Sequence, residues 1–156
     1  MQEISSEIFI NDQGEWWYEG SKIIHPEVLH LFKSSLTLDV QSGEFFIDYK
    51  GKRAPVKVAK TPYFIRDVVV EKDSAGDLVD VILEIDDGSR ESLDPESLTI
   101  DDDGALRVMI KAGRFAARCL SAAHFRIAEL LEEDGKDGFF IVINHNRFSV
   151  GNQGEH

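Results

Sequence analysis

Cysteine is nearly absent from this chain: Cys119 is the only one in 156 residues. A lone cysteine excludes an internal disulfide and a CxxC zinc site, and Cys119 reads as a small buried residue. Basic residues are also scarce. Seventeen Lys and Arg stand against 29 Asp and Glu, for a formal net charge of −12. A surface of that sign repels phosphate backbones and anionic lipid, so neither nucleic acid nor membrane is an expected partner. Long hydrophobic runs are missing too. A stretch such as Phe139–Ile143 is far too short to span a bilayer. The first ten residues, MQEISSEIFI, carry no basic region before an apolar core, so no signal peptide is expected and a cytoplasmic bacterial-type protein is the default.

Catalytic signatures are absent as well. There is no Gly-rich phosphate loop, no HExxH and no GxSxG. His25 and His30 are five apart, which suits one helix face poorly, and His124 reads as a satisfied histidine. Asp101–Gly104 invites comparison with a calcium loop. With Gly104 sixth, the twelfth position is Ile110, where a bidentate acid is required, so a solvated turn is expected. No catalytic residue, cofactor or metal is assigned, and an enzyme is the least expected class.

What the chain does contain is an echo. Phe45-Phe46-Ile47 returns as Phe139-Phe140-Ile141, with Arg53 returning as Arg147 and Val56 as Val150, 94 residues on at every match (Phe45 to Phe139). Each copy alternates, turns and alternates again, as a β-hairpin does. The first turns at Lys50-Gly51 and the second at Asn144-His145-Asn146, where Asn tolerates the left-handed conformation that Gly51 adopts freely. Phe45, Ile47 and Tyr49 share one face of the first copy, and Phe139, Ile141 and Ile143 share one face of the second. A hairpin alone is marginal, so a helix is expected over each: Pro26–Leu36 over the first and Phe115–Glu133 over the second.

The remaining elements follow in order. Glu15–Ile24 predicts a strand with Trp16 and Tyr18 on one face and Trp17 on the other. Pro26 opens a helix with Val28, Leu31, Phe32 and Ser35 at helical spacing, ending near Leu36 to Leu38. Lys57–Pro62 reads as a junction, extended before Pro62. Phe64–Lys72 and Leu78–Asp86 form another hairpin, followed by a capped turn at Asp94-Pro95-Glu96 and a strand over Leu106–Ile110. Phe115–Glu133 predicts the best helix, with Ala116, Leu120, Ala123, Ile127 and Leu131 as its apolar stripe. Lys111 and Arg114 flank Gly113 at its start, where a helix N-terminus with added cations holds anions; the plainer reading pairs them with acidic side chains.

Four segments together resemble the bacterial family called domain of unknown function 1285: GEWWYEGSKI, HPEVLHLF, the strand start at Gly43–Ile47, and TPYFIRDVVVE. The family pattern places Asn-Arg-Pro before the second helix, where this chain has Leu120-Ser121-Ala122, so that arginine is not carried over; Arg114 or Arg118 is the nearest substitute. The resemblance implies a duplicated α+β core whose C-terminal part is pleckstrin-homology-like, and a binding role in signalling.

The fold class expected is therefore α+β, with internally duplicated strand–helix–hairpin units. An N-terminal β-α-β unit spans 1–59 and a β-rich unit with the long helix spans 60–156. The function expected is a non-catalytic binding module for a small anionic, nucleotide-like ligand held between the units by Trp17, Tyr18, Pro62, Tyr63, Lys111 and Arg114. The alternative is a protein–protein interaction or scaffold domain with exposed strand edges.

Overall fold

The computed structural model describes residues 7–49 and 51–152. The Lys50 half of the first expected turn lies outside them, as does the side chain of Tyr49. Over the described residues the protein is mixed α and β, mostly sheet with two helices. It divides into two units at Pro62/Tyr63.

The first unit contains β1 (Ile8–Ile10), β2 (Trp16–Tyr18), β3 (Ser21–Lys22), α1 (Pro26–Ser35), β4 (Leu36–Leu38), β5 (Phe45–Tyr49) and β6 (Lys52–Val58). They form one sheet in the order β3-β2-β1-β6-β5-β4, antiparallel except for the β1–β6 pair. Ile8, Ile10, Trp16, Leu36, Phe46, Ile47, Ala54 and Val56 are among its buried apolar residues, and Phe32 of α1 sits 6.3 Å from the Trp16 ring. Pro26 starts α1 as its first residue, since it lacks only an N–H that would be unsatisfied there.

Two expectations for α1 need correction. It stops at Ser35, because Leu36 is already extended and paired with Ile47; the Ser34 and Ser35 hydroxyls donate to the carbonyls of His30 and Leu31 within the last turn. Leu31, placed on the apolar stripe by spacing, is exposed.

The second unit contains β7 (Tyr63–Lys72), β8 (Leu78–Ile85), β9 (Arg90–Ser92), a single 3-10 turn (Pro95–Ser97), β10 (Thr99–Ile100), β11 (Leu106–Ile110) and β12 (Phe115–Cys119). After these come α2 (Ser121–Ala128), β13 (Glu132–Glu133), β14 (Phe139–Ile143), β15 (Asn146–Ser149) and β16 (Gly151–Asn152). Seven strands form a sheet in the order β16-β10-β11-β12-β7-β8-β9, and β13-β14-β15 form a small second one. Along β8, Val81, Leu83 and Ile85 are buried and alternate with half-buried Ile82 and Glu84. Asp94 caps the 3-10 turn by accepting the Glu96 N–H.

The long helix is the main correction. Phe115–Glu133 is not one helix but β12, the eight-residue α2 and β13. Phe115, Ala117 and Cys119 are buried at a period of two, with Ala116 and Arg118 between them half-buried. β12 pairs with β11 on one side and β7 on the other. Strand pairing on both edges outweighs the helix preference of Ala116 and Ala117, which is a fraction of a kcal/mol each. The anion-holding helix N-terminus expected beside Gly113 is consequently absent, because residues 111–114 are a hairpin turn.

The two echoing hairpins share their register. Phe45↔Val56, Phe46↔Pro55, Ile47↔Ala54 and Asp48↔Arg53 pair in the first. Phe140↔Ser149, Ile141↔Phe148 and Val142↔Arg147 pair in the second, at the same 94-residue offset (Phe46 to Phe140). Each hairpin is preceded by a helix and a short strand antiparallel to its first arm, β4 in one case and β13 in the other. In each, an arginine lies 3.7 Å over a phenylalanine ring: Arg53 on Phe46 and Arg147 on Phe140. The helices differ, however. α1 packs on β5, whereas α2 packs chiefly on β7 and β12 and not, as expected, over the second hairpin.

Candidate functional site

Chemistry-bearing side chains collect at a place in each unit. In the first unit, strand alternation puts Ile8 and Ile10 into the core and turns Phe9 outward. Register then aligns Phe9 with Trp17 on β2 and with Lys57 on β6, and Trp17 with Lys22 on β3. Lys22, Trp17, Phe9 and Lys57 therefore form a row across four neighbouring strands on one face. Phe9 is 41% exposed although β1 is an interior strand of the sheet, and Trp17 is half-buried. The next row on that face carries Pro55 and Phe46, with Arg53 stacked on the Phe46 ring. Lys22 also reaches Glu15 at 2.5 Å. That contact lies between half-exposed groups and contributes little to stability.

Tyr18 projects from the opposite face, beside Ile8, and is 36% exposed. Trp17 and Tyr18 therefore cannot line one wall. Pro62 is buried.

In the second unit, the start of β7, the β8–β9 turn and the β11–β12 turn meet. Tyr63 is 3% exposed, with the Phe115 ring edge-on at 5.2 Å and Lys111 Nζ 5.0 Å from its centroid. Burial pushes the Tyr63 hydroxyl well above its ordinary pKa, the Asp87 and Asp86 carboxylates push it further, and the Arg114 charge opposes them. Lys111 Nζ donates to Asp87 Oδ2 at 2.8 Å. Burial alone would raise the Asp87 pKa, but the hydrogen bonds from Lys111 and Ser89 outweigh it and hold the carboxyl below its usual range. The Lys111 backbone N–H is received by Glu91 at 3.1 Å, and Arg114 Nε donates to the Lys111 carbonyl at 3.1 Å. Lys111 and Ala112 both have positive φ, 54° and 60°, ahead of Gly113 at 79°.

The structure thus brings Tyr63, Lys111 and Arg114 together and leaves Arg114 exposed. It also closes the Tyr63 ring to a stacking partner. Arg118 is held elsewhere, with Nε 3.2 Å from Asp101 and Nη2 3.2 Å from Asp103. Phe9, Lys22 and Lys57 were missed by sequence reasoning. The outward turn of Phe9 was readable from Ile8-Phe9-Ile10, but its neighbours were not, because β6 lies far along the chain.

Two open depressions lie beside the hairpins. One of about 230 Å³ is lined by residues 43–45 and 55–58, and one of about 340 Å³ by Glu133, Gly135 and 137–139. Neither contains a tyrosine or arginine. Cys119 is buried, and burial pushes its thiol up to about 12, so it is no nucleophile in the folded protein.

No family model matches the sequence, and no curated protein does. Two solved structures are similar in fold. A DUF1285 family protein from Silicibacter pomeroyi DSS-3 superposes with a TM-score of 0.73 at 20% identity, over 95% of this chain and 81% of that one. A DUF1285 family protein from Shewanella baltica OS155 gives 0.60 at 19% identity, over 80% of this chain and 92% of that one. At this identity the likeness shows the fold, and it supports the resemblance carried by GEWWYEGSKI and TPYFIRDVVVE.

Proposed function

We propose that this protein, a chain with the DUF1285 fold, is a non-catalytic interaction module in a signalling context. Its partner is an acidic segment of another protein that carries an apolar side chain. The observation that carries this reading is the row Lys22–Trp17–Phe9–Lys57, in which exposed Phe9 and half-buried Trp17 lie between Lys57 and a Lys22 that also pairs with Glu15, on a chain of net charge −12. Aromatic and cationic side chains are the residues that anchor protein interfaces. An open sheet face suits such a partner better than a small molecule, which needs a concave site. The test is retention of host proteins on the immobilised chain, with Phe9→Ser and Trp17→Ser as variants and Phe125→Ser, another exposed aromatic, as control. Loss of an acidic partner with the first two only is the expected result. Equal retention by all four proteins overturns the reading.

A second reading is favoured by the corner at Tyr63, where Lys111 and Arg114 meet. There a small anion, such as the phosphate of a nucleotide-like ligand, would be held by Arg114, with Lys111 shared between it and Asp87. A thermal-shift screen of nucleotides separates the two readings. A melting-temperature rise at millimolar nucleotide that vanishes in Arg114→Ala supports the anion site, and no rise from any anion removes it.

We also propose that the two hairpin segments descend from a duplication, and that the second unit is pleckstrin-homology-like. Common register, the paired Arg-on-Phe contacts and a helix-and-short-strand prelude support the first proposal. A seven-stranded sheet with a helix following β12 supports the second.

A further inference from the structure

Two hairpin tips of the second unit, far apart in sequence, come together. The β7–β8 turn supplies Asp73 and Asp77, and the β14–β15 turn supplies His145. One carboxylate oxygen from each aspartate and one imidazole nitrogen all lie within 4.8 Å of one another. The backbone fixes this meeting. Asn144 N–H, next to His145, donates to the carbonyl of Leu78, next to Asp77, at 2.8 Å.

The donors are near enough for one guest to reach all three. Asp73 Oδ1 accepts the N–H groups of Ala75 and Asp77, each at 3.0 Å, which sets the carboxylate plane and engages only one of its oxygens. Among the described residues, no hydrogen bond or ion pair engages the His145 imidazole, so it is close to the two carboxylates without closing on either. A tetrahedral ion with bonds of about 2.1 Å holds its donors about 3.4 Å apart. Exposed side chains close the remaining distance by changing rotamer. Two carboxylates and an imidazole suit a borderline divalent ion, with water filling the open position. Calcium and magnesium prefer oxygen alone and gain nothing from His145. The acidic pair by itself would be an ordinary solvated turn; the imidazole delivered from the other hairpin distinguishes this place.

We propose that Asp73, Asp77 and His145 form a surface site for a divalent transition-metal ion, with zinc the best match to the donors, and that the bound ion pins the two hairpin tips together. The site is separate from both readings given for the protein's function.

The test is calorimetric titration of the metal-free full chain with Zn²⁺ alone, beside His145→Gly and Asp77→Asn. Position 145 has φ 67°, which glycine adopts without strain, so His145→Gly removes the ligand while keeping the turn. The expected result is one ion bound, with affinity reduced at least about tenfold in each variant. Zinc should also slow hydrogen exchange of the Asn144 amide in the parent chain and not in His145→Gly. No binding by the parent chain overturns the proposal. Binding that survives both variants places the ion at other histidines and overturns it too. Loss with Asp77→Asn alone leaves a plain acidic turn and likewise overturns it.

Discussion

Asp101 shows how a charge is kept inside this fold. Its Oδ1 accepts the N–H groups of Asp103 and Ala105 at 2.9 and 3.0 Å, and its Oδ2 lies 3.0 Å from Arg107 Nε and 3.2 Å from Arg118 Nε. Burial favours the protonated form, but the Arg107 and backbone hydrogen bonds and the Arg118 charge outweigh it, and the carboxyl sits below its ordinary value. A depressed folded-state pKa stabilises the protein above the unfolded value of about 3.9, and the contribution is lost as pH falls through the folded value. Asp101→Ala is expected to cost roughly 3 kcal/mol or more in urea denaturation at neutral pH, because it strands the half-buried Arg107 guanidinium and leaves Arg118 with Asp103 in place of two carboxylates. The variant should also lose less stability than the parent chain between pH 5 and about pH 2. Cys119 makes a second residue-scale prediction. A thiol that is buried and pushed to about 12 should not react with a disulfide reagent at pH 8 until denaturant opens the unit.

At the scale of elements, the hairpins are the sharpest case. Ile47 and Ile141 occupy equivalent register positions and are 1% and 0% exposed. Ile47→Asp and Ile141→Asp each bury an unpaired carboxylate and should each cost several kcal/mol, a large part of a typical domain's stability, read as loss of the cooperative unfolding transition. Arg53→Ala and Arg147→Ala, which remove the matching ring contacts, should each cost only about 0.5–1 kcal/mol by the same measurement. Both hairpins were legible because alternation and turn residues are local signals. β12 was not. FAARC satisfies a period of two at Phe115, Ala117 and Cys119, yet its alanines also extend a helical stripe through Leu120, Ala123 and Ile127. Over five residues the two periods are hard to separate, and only the flanking strands β11 and β7 decide between them.

For the molecule as a whole, charge is the property that reaches furthest. A net charge of −12 predicts no retardation of duplex DNA and no retention on anionic vesicles at physiological salt. Among the described residues, no helix is long and apolar enough to cross a membrane. The sequence by itself determined the acidic surface, the paired hairpins and the placing of Trp17 on the face opposite Trp16 and Tyr18, because each depends on composition or on a period of two along one strand. Only the tertiary structure decided which strands lie side by side. It set Phe9 beside Lys57 through the parallel β1–β6 pair, brought Lys111 to Tyr63, and carried His145 to Asp73 and Asp77. Alternation tells which way a side chain points, but the neighbour it meets is set by pairing between distant segments, and that pairing is chosen by packing of the whole unit rather than by any local run of residues.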